Sequence, residues 1–179
     1  MTRPAVFLDR DGVINRTFIR DGTPCPPVSL RELEILPHVP EALSALKAQG
    51  YSLIVVTNQP DVARGTASHE LVDSIHERLK GELDLDAIFT CFHDDADECD
   101  CRKPKPGLLL RAAHDLGIDL TSSFMVGDRW RDVEAGRRAG CRTLFVDCGY
   151  REPPSHSCDF RVGSLLEASG IILAESDSR

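Results

Sequence analysis

The chain of 179 residues has no apolar run approaching the ~18 residues of a membrane span, so no helical anchor is expected. Its first residues carry no apolar stretch of signal-peptide length, and a strand-like segment begins almost at once, which points to the cytosol. Positive charge is scarce. With 21 Lys and Arg against 29 Asp and Glu, the net charge is −8, which argues against nucleic acid as a general partner. Internal repeats and low-complexity tracts are missing, so neither a repeat array nor a disordered tract is expected.

What remains is ordinary for a globular protein: 41% hydrophobic and 28% charged residues, in a chain of single-domain length able to bury a sizeable core. We expect one domain over residues 1–170 and a loose tail over 171–179. Seven cysteines in a reducing compartment should be thiols, and clustered ones read as metal ligands before disulfides.

The chain is organised around Phe7-Leu8-Asp9-Arg10-Asp11-Gly12-Val13. The apolar run Ala5 to Leu8 predicts a buried strand that ends in two carboxylates and a glycine. In an open α/β sheet, ligands sit beyond the carboxyl ends of the strands. Two acids there suit a Mg2+ ion and also suit paired nucleophilic and acid–base work. Taken alone the same residues also suit a surface turn.

Residues Asn15 to Arg31 read as an irregular loop, broken by Asp21-Gly22 and by Pro24, Pro26 and Pro27, that overhangs this edge. A helix is predicted over His38 to Gln49 and a buried strand over Tyr51 to Val56. That strand ends in Thr57-Asn58-Gln59, polar groups able to bond phosphate oxygens or to cap the following turn. An amphipathic helix follows over Ser68 to Leu83, with His69 and His76 read as solvated. Asp86 to Thr90 is a third strand. Pro106 opens a helix that Gly117 stops, and Phe124 to Val126 is a strand that delivers Asp128 to the same edge. Asp132 either caps the next helix or supports a ligand; Arg142 to Val146 and Phe160 to Val162 are further strands, and Ser164 to Ala168 a short helix.

Between these elements lie two clusters. Cys91, His93, Cys99 and Cys101 match a four-ligand Cys3His zinc set, though the C-x-H and C-x-C spacings are tighter than a zinc finger's. The intervening Asp94, Asp95, Asp97 and Glu98 lack the spacing of an EF-hand. A closed site of this kind is structural, because no position is left open for chemistry. Arg102, Lys103 and Lys105 then bring three cations to the anion site, Lys105 being the one that equally reads as a solvated turn.

Together, Phe7 to Asn15, Val56 to Gln59, Cys101 to Gly107 and Val126 to Asp128 with Asp132 resemble the haloacid dehalogenase-like phosphohydrolases over roughly residues 5–148. Within them the chain is similar to the heptose bisphosphate and histidinol-phosphate phosphatase group, and the zinc loop ahead of Arg102-Lys103 is what narrows the match. The resemblance implies a three-layer Rossmann-like α/β fold with a central parallel sheet and a zinc-bound loop. With only a loop, a helix and a strand between Asp9 and Thr57, no cap domain fits. It implies that Asp9 is the nucleophile, Asp11 the general acid and base, and Thr57 and Lys103 the phosphoryl-binding groups. Asn58, Gln59, Arg102 and Arg129 are then substrate contacts, and Mg2+ is held by Asp9, Asp128 and the backbone carbonyl of Asp11. The resemblance implies a Mg2+-dependent phosphatase whose expected substrate is a small phosphorylated sugar, heptose 1,7-bisphosphate, acted on by a monomer, with histidinol phosphate or another small sugar-phosphate monoester as the alternative. Thr17-Phe18-Ile19-Arg20 stands where the group commonly has a polar stretch, and the zinc loop is short, so the substrate walls depart from the group's pattern.

Overall fold

A computed structural model describes residues 2–150 and 157–177. Six parallel strands form one sheet: β1 (Ala5–Leu8), β4 (Ser52–Asn58), β5 (Ala87–Cys91), β6 (Phe124–Gly127), β7 (Arg142–Val146) and β8 (Phe160–Val162). Their order is β5-β4-β1-β6-β7-β8. The helices are α1 (Val39–Ala48), α2 (His69–Glu82), α3 (Gly107–Leu116), α4 (Trp130–Ala139) and α5 (Leu165–Asp177). Among the described residues no helix is long and apolar enough to cross a membrane.

Side-chain alternation along the strands divides the core. Val6 and Leu8 of β1 and Leu53 and Val55 of β4 pack with Leu43 and Leu46 of α1, Ile75 and Leu79 of α2 and Ile172 of α5. Their neighbours Ala5, Phe7, Ile54 and Val56 point the other way, onto Leu108 and Ala112 of α3 and Ala135 of α4. The result is the expected three-layer arrangement, with every central strand buried on both faces. From β1 the chain winds outward through β4 and β5, then returns to β6 on the opposite side of β1. The strand order therefore reverses at the carboxyl ends of β1 and β6, the place where open α/β sheets take their ligands.

Three expectations change. Residues 18–25 are a hairpin of β2 (Phe18–Arg20) and β3 (Thr23–Cys25), not irregular loop. Asp21 and Gly22 both have positive φ, 51° and 76°, as a two-residue hairpin turn with the twist of the flanking strands requires. The last helix does not stop near Ala168 but continues through Asp177, because Ile172 is fully buried against the core and Ile171 and Leu173 pack beside it. His76 is buried, at 8% exposure. It shares the apolar stripe of α2 with Val72, Ile75 and Leu79. No cap domain interrupts the span from Asp9 to Thr57, which holds only the hairpin, α1 and most of β4.

Candidate active site

Asp9 follows β1 directly, and its backbone N–H bonds to the Val126 carbonyl of β6, pinning the two switch-point strands together. Asp128 follows β6. Asp132 is in the first turn of α4, where its Oδ2 accepts from the Arg129 backbone N–H at 2.9 Å. One carboxylate oxygen from each of Asp9, Asp128 and Asp132 falls within 4.8 Å of the others, and all three residues are buried. Two glycines make this approach possible. A Cβ on Gly12, whose φ is +86°, would lie 2.0 Å from Asp128 Oδ2, and one on Gly127 would lie 2.1 Å from Asp132 Cβ.

Lys103 reaches into the cluster. Its Nζ donates to Asp9 Oδ1 at 2.7 Å and to the Val56 carbonyl at 2.8 Å, and pairs with Asp132 Oδ1 at 2.6 Å. All three ammonium hydrogens thus have an acceptor. The Asn58 amide clamps the Lys103 backbone from both sides, accepting from its N–H and donating to its carbonyl, each at 3.1 Å. Burial alone would lower the lysine's pKa, but Asp132 and Asp9 more than reverse that and hold it above its ordinary value. Burial raises Asp9 to about 6, against the pull of Lys103. Burial raises Asp128 well above the ordinary carboxylate range too, and repulsion from Asp9 and Asp132 adds to it.

Asp11 points elsewhere. Its carboxylate accepts from Arg10 Nε and Nη2, from Asn15 Nδ2 at 2.9 Å and from Gln59 Nε2 at 2.9 Å. Gln59 Nε2 also donates to Thr57 Oγ1 at 3.0 Å, tying the hydroxyl at the end of β4 to the acid beyond β1.

These groups open into a cleft of about 300 Å3. Its walls are Thr17 and Thr23 to Pro26 of the hairpin segment, Gln59 to Asp61 with Arg64, and the loop between β5 and α3. The expected overhang of that first wall is therefore present. Arg64, Arg102, Arg129 and Arg131 ring the cleft above Lys103. Two of them are oriented by acids of the loop after β5. Arg64 makes a two-pronged contact with Asp94 at 2.6 and 2.7 Å, and Arg102 donates to Asp95 Oδ1 at 2.7 Å.

The same loop holds the sulfur cluster. Cys91, His93, Cys99 and Cys101 bring their ligand atoms within 4.8 Å of one another. Sulfur–sulfur separations are 3.0–3.7 Å, and His93 Nδ1 lies 3.3 Å from Cys101 Sγ. The edges of a zinc–thiolate tetrahedron are about 3.8 Å for a 2.3 Å bond, so the set needs only slight expansion to fit an ion. The three cysteines are free thiols. Hydrogen bonds from Cys101 and nearby backbone outweigh burial and hold Cys99 down at about 7, while burial pushes Cys91 and Cys101 up.

The sequence brought together Asp9, Asp11, Thr57, Asn58, Gln59, Arg102, Lys103, Asp128 and Arg129, and all of them but Thr57 line the cleft itself. Thr57 lies behind Gln59. Nothing in the sequence marks Arg10, Asn15, Arg64 and Arg131 as part of the site, or Asp94 and Asp95 as the acids that orient its arginines. For His76 a signal existed: position 76 follows Val72 by four residues and precedes Leu79 by three, on the buried stripe.

This chain belongs to the haloacid dehalogenase-like hydrolases, whose family profile matches residues 26–140. It is 41% identical over 150 aligned positions to a D-glycero-beta-D-manno-heptose-1,7-bisphosphate 7-phosphatase of Photorhabdus laumondii, covering 76% of each chain. It is 36% identical over 181 aligned positions to the Escherichia coli K12 protein of the same name, covering 92% of this chain and 91% of that one. Among solved structures it is similar to D,D-heptose 1,7-bisphosphate phosphatase from B. bronchiseptica complexed with magnesium and phosphate. That match has a TM-score of 0.80 and 29% identity, over 96% of this chain and 99% of the other.

Proposed function

We propose that the chain is a Mg2+-dependent phosphatase that removes phosphate from D-glycero-D-manno-heptose 1,7-bisphosphate through an aspartyl-phosphate. The observation that carries this reading is the buried cluster of Asp9, Asp128 and Asp132 around Lys103. Three carboxylates against one ammonium leave an excess of two negative charges, which a divalent cation cancels. Asp128 Oδ1 is buried with no hydrogen-bond partner, as an oxygen reserved for a metal would be. Asp9, Asp128 and the Asp11 backbone carbonyl would hold the ion. When bound, Mg2+ neutralises charge on the transferring phosphoryl group.

The protein's own groups supply the rest. Lys103 holds Asp9 Oδ1, which leaves Oδ2 to attack phosphorus in line with the leaving oxygen. Lys103 sets its positive charge beside the equatorial oxygens, while Thr57, behind the cleft wall, accepts from the Gln59 amide that also holds Asp11. Asp11 gives a proton to the departing sugar oxygen, then takes one from the water that splits the aspartyl-phosphate. The second phosphate of the substrate is met by the arginines of the cleft rim, Arg102 and Arg129 among them. The relatives' names support the 7-phosphate and the β anomer for this chain. The Cys91, His93, Cys99, Cys101 set is proposed as a structural zinc site that holds the loop carrying Asp94 and Asp95.

Phosphate release on the α and β heptose bisphosphates, histidinol phosphate and sugar monophosphates tests this. A lead in kcat/KM of about a hundredfold for one heptose anomer, on the order of 3 kcal/mol in the transition state, is the expected result. Flat values, or a lead for histidinol phosphate, would remove the heptose assignment. The same assay should find no turnover by a folded Asp9→Asn variant.

A further inference from the structure

Arg10 stands between the two acids of the catalytic loop and is fully buried. Its Nε and Nη2 both reach Asp11, and its Nη1 lies 3.1 Å from Nε2 of His76 on α2. A guanidinium only donates hydrogen bonds, so Nε2 must be the acceptor and the imidazole proton sits on Nδ1. A protonated ring would set two cations against each other in a buried space. Consistent with this, burial together with Arg10 and Lys80 holds His76 down at about 4, with Asp11 pulling the other way.

We infer that His76 is a positioning residue for proton transfer: it fixes the plane of Arg10, and Arg10 fixes the Asp11 carboxylate. A guanidinium is rigid and planar, so anchoring Nη1 determines where Nε and Nη2 point. Without an acceptor at His76, the buried Nη1 hydrogens are left unsatisfied and the guanidinium rolls to find another partner. The carboxylate it grips at 2.9–3.2 Å is then left to Asn15 and Gln59 and loses the orientation that the guanidinium sets. This rests on the role proposed for Asp11 above.

Leaving-group chemistry separates positioning from general structural support. An alkyl phosphate needs a proton on its departing oxygen, whereas p-nitrophenolate leaves without one. kcat/KM covers the steps through formation of the aspartyl-phosphate, where this difference is felt. The readout is therefore the ratio of kcat/KM for heptose bisphosphate to that for p-nitrophenyl phosphate. For His76→Leu the ratio should fall about tenfold or more, part of the 10²–10⁴ that a general acid supplies. His76→Gln, whose amide oxygen can accept from Nη1, should keep it within about threefold of wild type. Asp11→Asn is the reference and should collapse the ratio further.

An unchanged ratio in His76→Leu beside a collapsed one in Asp11→Asn overturns the inference and spares the Asp11 reading. An unchanged ratio in Asp11→Asn overturns that reading and the inference with it. If His76→Leu does not fold, 15N NMR of the wild-type ring decides. A neutral Nδ1–H ring from about pH 5 to 8 supports the inference. A proton on Nε2 in that range overturns it.

Discussion

Replacing Asp128 by Asn should make the metal-free protein more stable and at the same time deaf to Mg2+. Asp128 is 3% exposed and sits within 4.8 Å of the carboxylates of Asp9 and Asp132. Without a metal, folding must either bury its charge beside two others or keep it protonated. A carboxyl that ordinarily ionises at 3.8 is raised well above that here, so the folded state binds a proton that the unfolded state releases. Stability of the metal-free protein then falls as pH rises above 3.8. Asparagine avoids it. Whatever stability is gained raises Tm, by about 2–4 °C per kcal/mol for a chain of this size. In wild type, Mg2+ at a hundred times its Kd should restore about 2.7 kcal/mol, and in the variant almost nothing. Scanning calorimetry in EDTA and in Mg2+ at pH 7, repeated at pH 4 where the variant's advantage should vanish, measures both effects. A variant less stable than wild type by 1 kcal/mol or more in EDTA at pH 7, or one that still gains stability from Mg2+ as wild type does, would refute the charge argument.

Two further outcomes follow from the geometry. Chelating the zinc proposed at Cys91, His93, Cys99 and Cys101, or changing Cys101 to Ser, should cost about 3 kcal/mol or more of stability and raise KM more than it lowers kcat, because the loop orients Arg64 and Arg102 through Asp94 and Asp95. Loss of kcat with stability intact would instead make the metal catalytic. His76, held at about 4 when folded against 6.5 ordinarily, takes up its proton first in the unfolded chain. Stability should therefore fall by about 2 kcal/mol as pH drops from 6.5 to 5, and His76→Gln should flatten that slope in urea titrations.

The strands that build the site were legible because each is a short apolar run ending in residues that cannot belong to a core. Leu8 gives way to Asp9, Val56 to Thr57 and Val126 to Gly127-Asp128 within one or two positions. The hairpin was obscured by its prolines, although Asp21-Gly22 is a strong two-residue turn signal and Pro24 is tolerated in an outlying two-stranded ribbon. The length of α5 was hidden by Gly170, which breaks the helical pattern on paper but costs only about 1 kcal/mol in a helix whose Ile172 is fully buried. Arg10 could not be placed from its neighbours: a charge between two acids looks solvated until α2 is seen to offer it a histidine. The pairing of Arg64 with Asp94 joins separate segments, that of Arg102 with Asp95 lies within one irregular loop, and neither leaves a periodic trace.

Lys103 has one more consequence, and it concerns entropy. A free lysine side chain surrenders about 1.5–2 kcal/mol of rotamer freedom when it is fixed in place. Here the side chain is 2% exposed, its ammonium is held by Asp9, Asp132 and the Val56 carbonyl, and its backbone is gripped by Asn58. That ordering was completed when the chain folded. An arriving phosphate meets a cation already immobile, and the complex is spared a loss equivalent to roughly a 10- to 30-fold change in affinity.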